Sequence, residues 1–204
     1  MTDNRTEDKE IEMFIDFIPN LVRQGQVTEV ERILRKRFDE ALPSKIARYG
    51  EIPALHIQVK LFHLLIREAR GLYVDQYDRG AIALCGMTVE ALCIAIAEDR
   101  VEDEQLKREL TNPQKKIREK IERLKKHFRI PKSVSWLHQV LDIRRDYLHL
   151  HKTYVPSGDV LECINRLHLA VLAEYGLFYG DGKWRYATEE DIVQFAKRLG
   201  YDEV

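Results

Sequence analysis

The segment SWLHQVLDIRRDYLHLHKTY, residues 135–154, decides how the rest of the chain is read. Wound as a helix, it gathers Trp136, Leu137, Val140, Leu141, Ile143, Tyr147, Leu148 and Leu150 into one broad apolar band, the pattern of a helix buried against several neighbours. Arg144 falls inside that band. Along the line of residues 137, 141, 144, 148 and 151, Arg144 and His151 occupy places where leucine would be ordinary. An arginine there needs a carboxylate, a phosphate or a partner subunit, because burying it unpaired costs several kcal/mol. The opposite line of His138, Asp142, Arg145 and His149 is polar and is expected to face water or a groove.

The chain around this segment has 204 residues, 45% hydrophobic and 33% charged, enough for one globular domain with a real core and a small appendage. Thirty-three basic residues stand against thirty-four acidic ones, so affinity for nucleic acid has to come from local patches and not from bulk charge. Cys85, Cys93 and Cys163 sit in apolar helical pattern with no CxxC pair, which reads as buried free thiols in a reducing compartment. There is no run of eighteen apolar residues, and MTDNRTEDKE at the N-terminus is unlike a signal peptide; a cytoplasmic location without a membrane span is expected.

Outward from the central segment the periodicity is helical almost throughout. Residues 10–23 and 26–42 form an expected N-terminal hairpin, broken near Gly25 and ended by Pro43 and Ser44. The basic RILRKR run within it, residues 32–37, reads as a solvated face. Residues 54–73 follow as a long apolar helix carrying His56 and His63, which are seven apart with no third ligand at usable spacing for a metal. Residues 75–99 are the most apolar stretch, and Glu90 is the only charge between Arg79 and Glu98. Its expected partner is Arg144; the bland alternative is a rim position in water. After a short polar helix at 102–110, Asn112 and Pro113 signal the start of a helix over 114–128. That helix bears the one dense basic surface, with Lys115, Lys116, Arg118, Arg123 and Lys126 either tracking a phosphate backbone or simply solvated.

Past the central segment, residues 160–175 form another amphipathic helix closed by Gly176. FYGDGKWRYAT predicts a β-hairpin, and Thr188 to Asp191 is a capping box for a last helix that stops at Gly200. The fold class is therefore an all-α helical bundle, with an N-terminal hairpin over residues 1–50, the bundle over 51–176 and a hairpin-plus-helix appendage over 177–204. No Walker loop, GxSxG, HExxH or dinucleotide fingerprint occurs.

On these residues the chain resembles the HEPN superfamily, the higher eukaryote and prokaryote nucleotide-binding domains. Many members carry an arginine, four to six residues and a histidine near the end of a late helix. Arg144 to His149 fits with four residues between, Arg144 to His151 with six, and Arg145 to His151 with five. The order of helices matches as well: an apolar helix with the step Val89-Glu90-Ala91-Leu92, a lysine-rich helix followed by Ile130-Pro131, then the Arg/His helix. The resemblance covers roughly residues 54–176. It departs where Arg145 follows Arg144, since relatives often place Asn or Asp there; Asp146 takes that role only if Arg145 is the motif arginine.

The resemblance implies an HEPN-like bundle that dimerises through the motif helices and cuts RNA without metal or other cofactor, as a toxin or defence effector with an antitoxin or regulatory partner. Arg144 or Arg145 would stabilise the phosphorane, and His149 or His151 would move the proton, with Glu90, Asp146 and Tyr147 in support. Two other readings stay open: a non-catalytic module of the same fold that binds a nucleotide or a protein, and a structural adaptor with no site.

Overall fold

The computed structural model describes residues 25, 27–52, 60–148, 154–180 and 183–201. Eight helices lie among them: α1 (Val27–Glu51), α2 (Leu61–Val74), α3 (Asp78–Arg100), α4 (Glu104–Thr111), α5 (Ile117–Leu124), α6 (Lys132–Leu148), α7 (Ser157–Tyr175) and α8 (Glu189–Arg198). A ribbon of β1 (Leu177–Gly180) and β2 (Lys183–Tyr186) precedes α8. The chain is an all-α bundle with this one small sheet. Contacts divide it into two compact units, residues 1–47 and 48–204.

In the larger unit α3 is the axis. Ala, Cys, Val, Leu and Ile recur along nearly its whole circumference, so it can be surrounded, and it packs on α2, α6 and α7. Ile82, Cys85, Val89, Leu92 and Ile96 are fully buried there. By length and composition α3 could cross a membrane, with a window of mean hydropathy 2.0, but 67% of that window is buried inside the bundle. All three cysteines are buried free thiols. Burial pushes the Cys93 thiol up to about 12, and a hydrogen bond with Cys85, then burial, raises Cys163 as well.

The C-terminal end of α3 is locked by one carboxylate. Glu174 on α7 is fully buried and accepts from the backbone N–H of Arg129 (2.9 Å) and Ile130 (3.3 Å), from the Ser133 hydroxyl (2.8 Å) and from the Arg100 guanidinium. Arg100 also donates to the carbonyls of Glu174 (2.8 Å) and His127 (3.0 Å). One acid thereby joins the end of α3, the loop before α6 and the end of α7.

The ribbon is antiparallel, with Leu177 opposite Tyr186 and Gly180 opposite Lys183, as the Gly-Asp-Gly turn predicts. Thr188 caps α8, its hydroxyl accepting from the Asp191 N–H while Asp191 accepts from the Thr188 N–H. Ala187, Ile192 and Ala196 join the bundle's hydrophobic cluster, and the Phe195 ring stacks parallel on the buried His168 ring at 5.3 Å.

Several expected boundaries move. Pro43 does not end its helix: α1 runs on to Glu51, and the Ser44 hydroxyl donates to the Ala41 carbonyl within a turn where proline supplies no N–H. Asn112 and Pro113 form a turn and not a helix start, because the Asn112 side chain accepts from the Gln114 N–H and closes the end of α4; the helix begins only at Ile117. That helix ends at Leu124 in a 3-10 turn, Lys125–His127. The central helix starts at Lys132, directly after Pro131. Gly176 is not left-handed (φ −64°); glycine is needed there because a Cβ would overlap the Leu172 carbonyl oxygen and stand 3.0 Å from the Leu172 Cα. The expected helix at 10–23 lies outside the described residues, as do the start of 54–73 and His56.

Candidate phosphate site on the central helix

Arg144 sits in the last described turn of α6, a place a cation favours because the helix dipole is negative at its C-terminal end. Its side chain lies against α3 at Gly86. A Cβ there would overlap Arg144 Cδ and stand 2.5 Å from Nε, so the missing methyl is what admits the arginine. The residue is half-buried, and its Nε is buried with no hydrogen-bond partner. Among the described residues no ion pair or hydrogen bond engages the rest of the guanidinium either. Arg144 is thus held in place by packing of its aliphatic stem, with no partner for its fork of donors among those residues.

The expected pairing of Arg144 with Glu90 does not form. Glu90, one turn after Gly86 on α3, accepts instead from the Lys120 ammonium of α5 at 3.0 Å. The physical reason is burial. The Lys120 side chain is 1% exposed and needs the carboxylate, whereas Glu90 keeps 43% of its side chain in water. A signal for this lay in the sequence: Lys120 falls on the apolar stripe of Ile117, Ile121 and Leu124, so its stem was bound to turn inward.

The polar line of α6 is tied to α5. Asp142 accepts from Arg118 at 2.6 Å and pairs with Arg145 at 2.9 Å, and Asp146 lies 3.6 Å from Arg145. His138 bridges Arg118 (3.3 Å) and Glu122 (2.7 Å). Arg145 is therefore neutralised and 58% exposed, the opposite of its neighbour Arg144. Tyr147 is buried, and its hydroxyl donates to Asp159 on α7, which anchors the turn that carries Arg144. Burial and the Asp159 carboxylate push that hydroxyl up to about 12.

The basic surface of residues 114–128 is thinner than its composition promises. Arg118 is taken by Asp142, Arg123 is paired with Glu109, and Lys120 is inside. Lys115, Lys116 and Lys126 remain exposed. His149 and His151 lie outside the described residues, so the geometry distinguishes the two arginines and says nothing of either histidine. No metal-binding cluster of His, Cys, Asp and Glu occurs among the described residues. No family model, curated protein or solved structure matches the chain.

Proposed function

We propose that the chain is an HEPN-type endoribonuclease that works as a homodimer, with Arg144 as the residue that meets the scissile phosphate. The observation that carries this reading is the guanidinium of Arg144, fixed against Gly86 with its buried Nε unpartnered among the described residues, while Glu90 is engaged by Lys120 and Asp142 by Arg118 and Arg145. A planar, permanently charged fork held rigid by its stem is suited to two oxygens of a phosphate.

In the reaction the 2'-hydroxyl of the RNA attacks the adjacent phosphorus and the bond to the 5'-oxygen of the next nucleotide breaks. Charge builds on the non-bridging oxygens, where Arg144 stabilises it. The proton leaves the 2'-hydroxyl and one is delivered to the departing 5'-oxygen; His149 or His151 carries this transfer in the reading, since imidazole titrates near neutrality. The products are a 2',3'-cyclic phosphate and a 5'-hydroxyl. Water is not consumed, and the step needs no metal-bound hydroxide.

The test is cleavage of a mixed RNA in excess EDTA by the wild type and by Arg144→Ala, Arg145→Ala, His149→Ala and His151→Ala, with product ends identified. Arg144→Ala should lose roughly 10²- to 10³-fold in rate, the scale for removing one preorganised donor from a developing oxyanion. Arg145→Ala should stay within a few-fold, and one of the two histidine variants should fall with Arg144→Ala. Equal losses at Arg144 and Arg145 would refute the assignment. A folded wild type that cuts nothing would leave a non-catalytic nucleotide- or protein-binding module as the reading.

A further inference from the structure

Helix α1 is charged on one side and apolar on the other, and the apolar side is open. At about 100° per residue, Glu31, Leu34, Phe38, Ala41, Leu42 and Lys45 fall within roughly 100° of arc. Leu34, Phe38 and Leu42 are 47%, 55% and 36% exposed. The ion pairs of Glu29 with Arg32 and of Lys36 with Glu40 lie on the reverse side. Val30 is buried, but it sits beyond the edge of the arc, so what covers it leaves those three apolar residues open. We infer that this face is an interface between two copies of the chain, whose α1 helices pair antiparallel about a two-fold axis at Phe38. The inference does not depend on the reading of Arg144: the face lies on a different helix from the Arg/His motif, and its test reads association and not cleavage.

The order of side chains along the face selects the occupant. Glu31, Leu34, Phe38, Leu42 and Lys45 follow one another at spacings of three, four, four and three. The row therefore reads the same from either end, except that a carboxylate at one end answers an ammonium at the other. An antiparallel two-fold at Phe38 sets Leu34 against the partner's Leu42 and, at both ends of the seam, Glu31 against the partner's Lys45. A parallel pair in register would set each of these charges on its own like, which is unfavourable. Glu31 and Lys45 are fourteen residues apart, about 21 Å along the helix, so they do not pair within one α1. An unrelated partner would require no symmetry in the row, whereas a second copy does.

Packing supports the same arrangement. Leu34, Phe38 and Leu42 form one i, i+4 ridge, and Ala41 in the next row is small enough to leave a groove beside it for the partner's ridge. The Lys45 ammonium stands 6.0 Å from the centre of the Phe38 ring, on the side of the helix that the partner would occupy. Pairing takes the exposed ring and both leucines out of water. A seam of a few helical turns is shorter than an interface of about 1,200–2,000 Å², so association through it depends on concentration. Because the contact is isologous it closes at two copies and does not propagate.

The experiment uses the full-length chain. Under mild oxidation Phe38→Cys should give a disulfide-linked dimer, and a mixture of the Leu34→Cys and Leu42→Cys proteins should give the mixed dimer; the native thiols are buried, and wild type serves as the control. Sedimentation across a dilution series should show Phe38→Glu weakening self-association roughly tenfold or more, the scale for a central aromatic anchor. Glu31→Lys or Lys45→Glu alone should weaken it roughly three- to tenfold, and the two together should restore it, since the swapped charges again face each other across the two-fold. Circular dichroism checks that each variant keeps its helix content. If the chain also pairs through its central helix, Phe38→Glu leaves that other dimer in place, while the cross-link at position 38 reads this seam alone. No cross-link at position 38, or equal association of wild type and Phe38→Glu, would overturn the proposal and mean that the face is covered by the chain's own residues or by another protein. A charge swap that fails to restore association, or Leu34→Cys linking chiefly to itself, would overturn the antiparallel register.

Discussion

The two ends of α3 hold arginines under opposite conditions. At the C-terminal end Arg100 spends its donors on the Glu174 carboxylate and two carbonyls, and Glu174 in turn is saturated by two backbone amides and a hydroxyl. Nearer the N-terminal end Arg144 lies against the helix in the notch at Gly86, its buried Nε without a partner among the described residues. The difference separates an ion pair that closes a joint from a packed cation that finds no such partner among the described residues.

The largest expected effect lies at the saturated end. Glu174→Ala should cost about 3–5 kcal/mol in chemical denaturation, because it strands a guanidinium and three donors inside the protein. A loss below about 1 kcal/mol would mean that the joint is solvated in practice and would erase the contrast.

A second test asks whether any unpartnered buried polar group mimics Arg144. His168 is fully buried, neither ring nitrogen has a partner, and burial followed by the charge of Arg70 lowers its pKa to about 3. The folded state therefore binds this proton less readily than the unfolded chain, whose histidine titrates near 6.5. The stabilisation is complete above about pH 6.5 and is lost as pH falls toward 3, on the order of 5 kcal/mol across that window. His168→Phe should flatten the acid limb of a stability-versus-pH curve and leave RNA cleavage untouched. Should it abolish cleavage instead, lack of a partner would no longer single out Arg144.

The notch itself can be probed by a double-mutant cycle. Gly86→Ala alone should cost about 1–3 kcal/mol by overpacking against the Arg144 stem. Added to Arg144→Ala, the same change should stabilise by about 1 kcal/mol, since alanine is the better helix former once the space is empty. Thermal melts of the four proteins give the sign, and additivity would show that the two residues do not touch. The smallest effect belongs to Gln76→Gly, which should gain about 0.5–1 kcal/mol by relieving a left-handed residue; a loss would show that the glutamine side chain offsets its own strain.

Most of the bundle could be read from periodicity, and the capping box at Thr188 and the ribbon before it from local chemistry alone. What escaped reading were choices between competing partners. Asn112 can cap a helix or close a turn, and its contact with the Gln114 N–H decided for the turn. Pro43 ends helices in general, yet its neighbours continue the turn around it. Glu90 reads as either paired with Arg144 or at the rim in water; it keeps 43% of its side chain in water and pairs instead with Lys120, whose entry into the core is a matter of packing between helices thirty residues apart in the chain. The Arg144 position was legible because its periodicity was violated; that it would find no partner among the described residues was not.

The apolar wrapping of α3 also bears on how the chain reaches its fold. Its most extensive partner, α2, precedes it immediately, separated only by the turn at Asp75 to Tyr77. The greasiest segment can therefore find cover from its nearest neighbour before the distant helices α6 and α7 arrive, which keeps loop-closure entropy low at the step where exposure is most hazardous. The expected nucleus is this helical pair, and Ile82→Val should slow refolding proportionally more than Ile192→Val in α8, which should chiefly hasten unfolding.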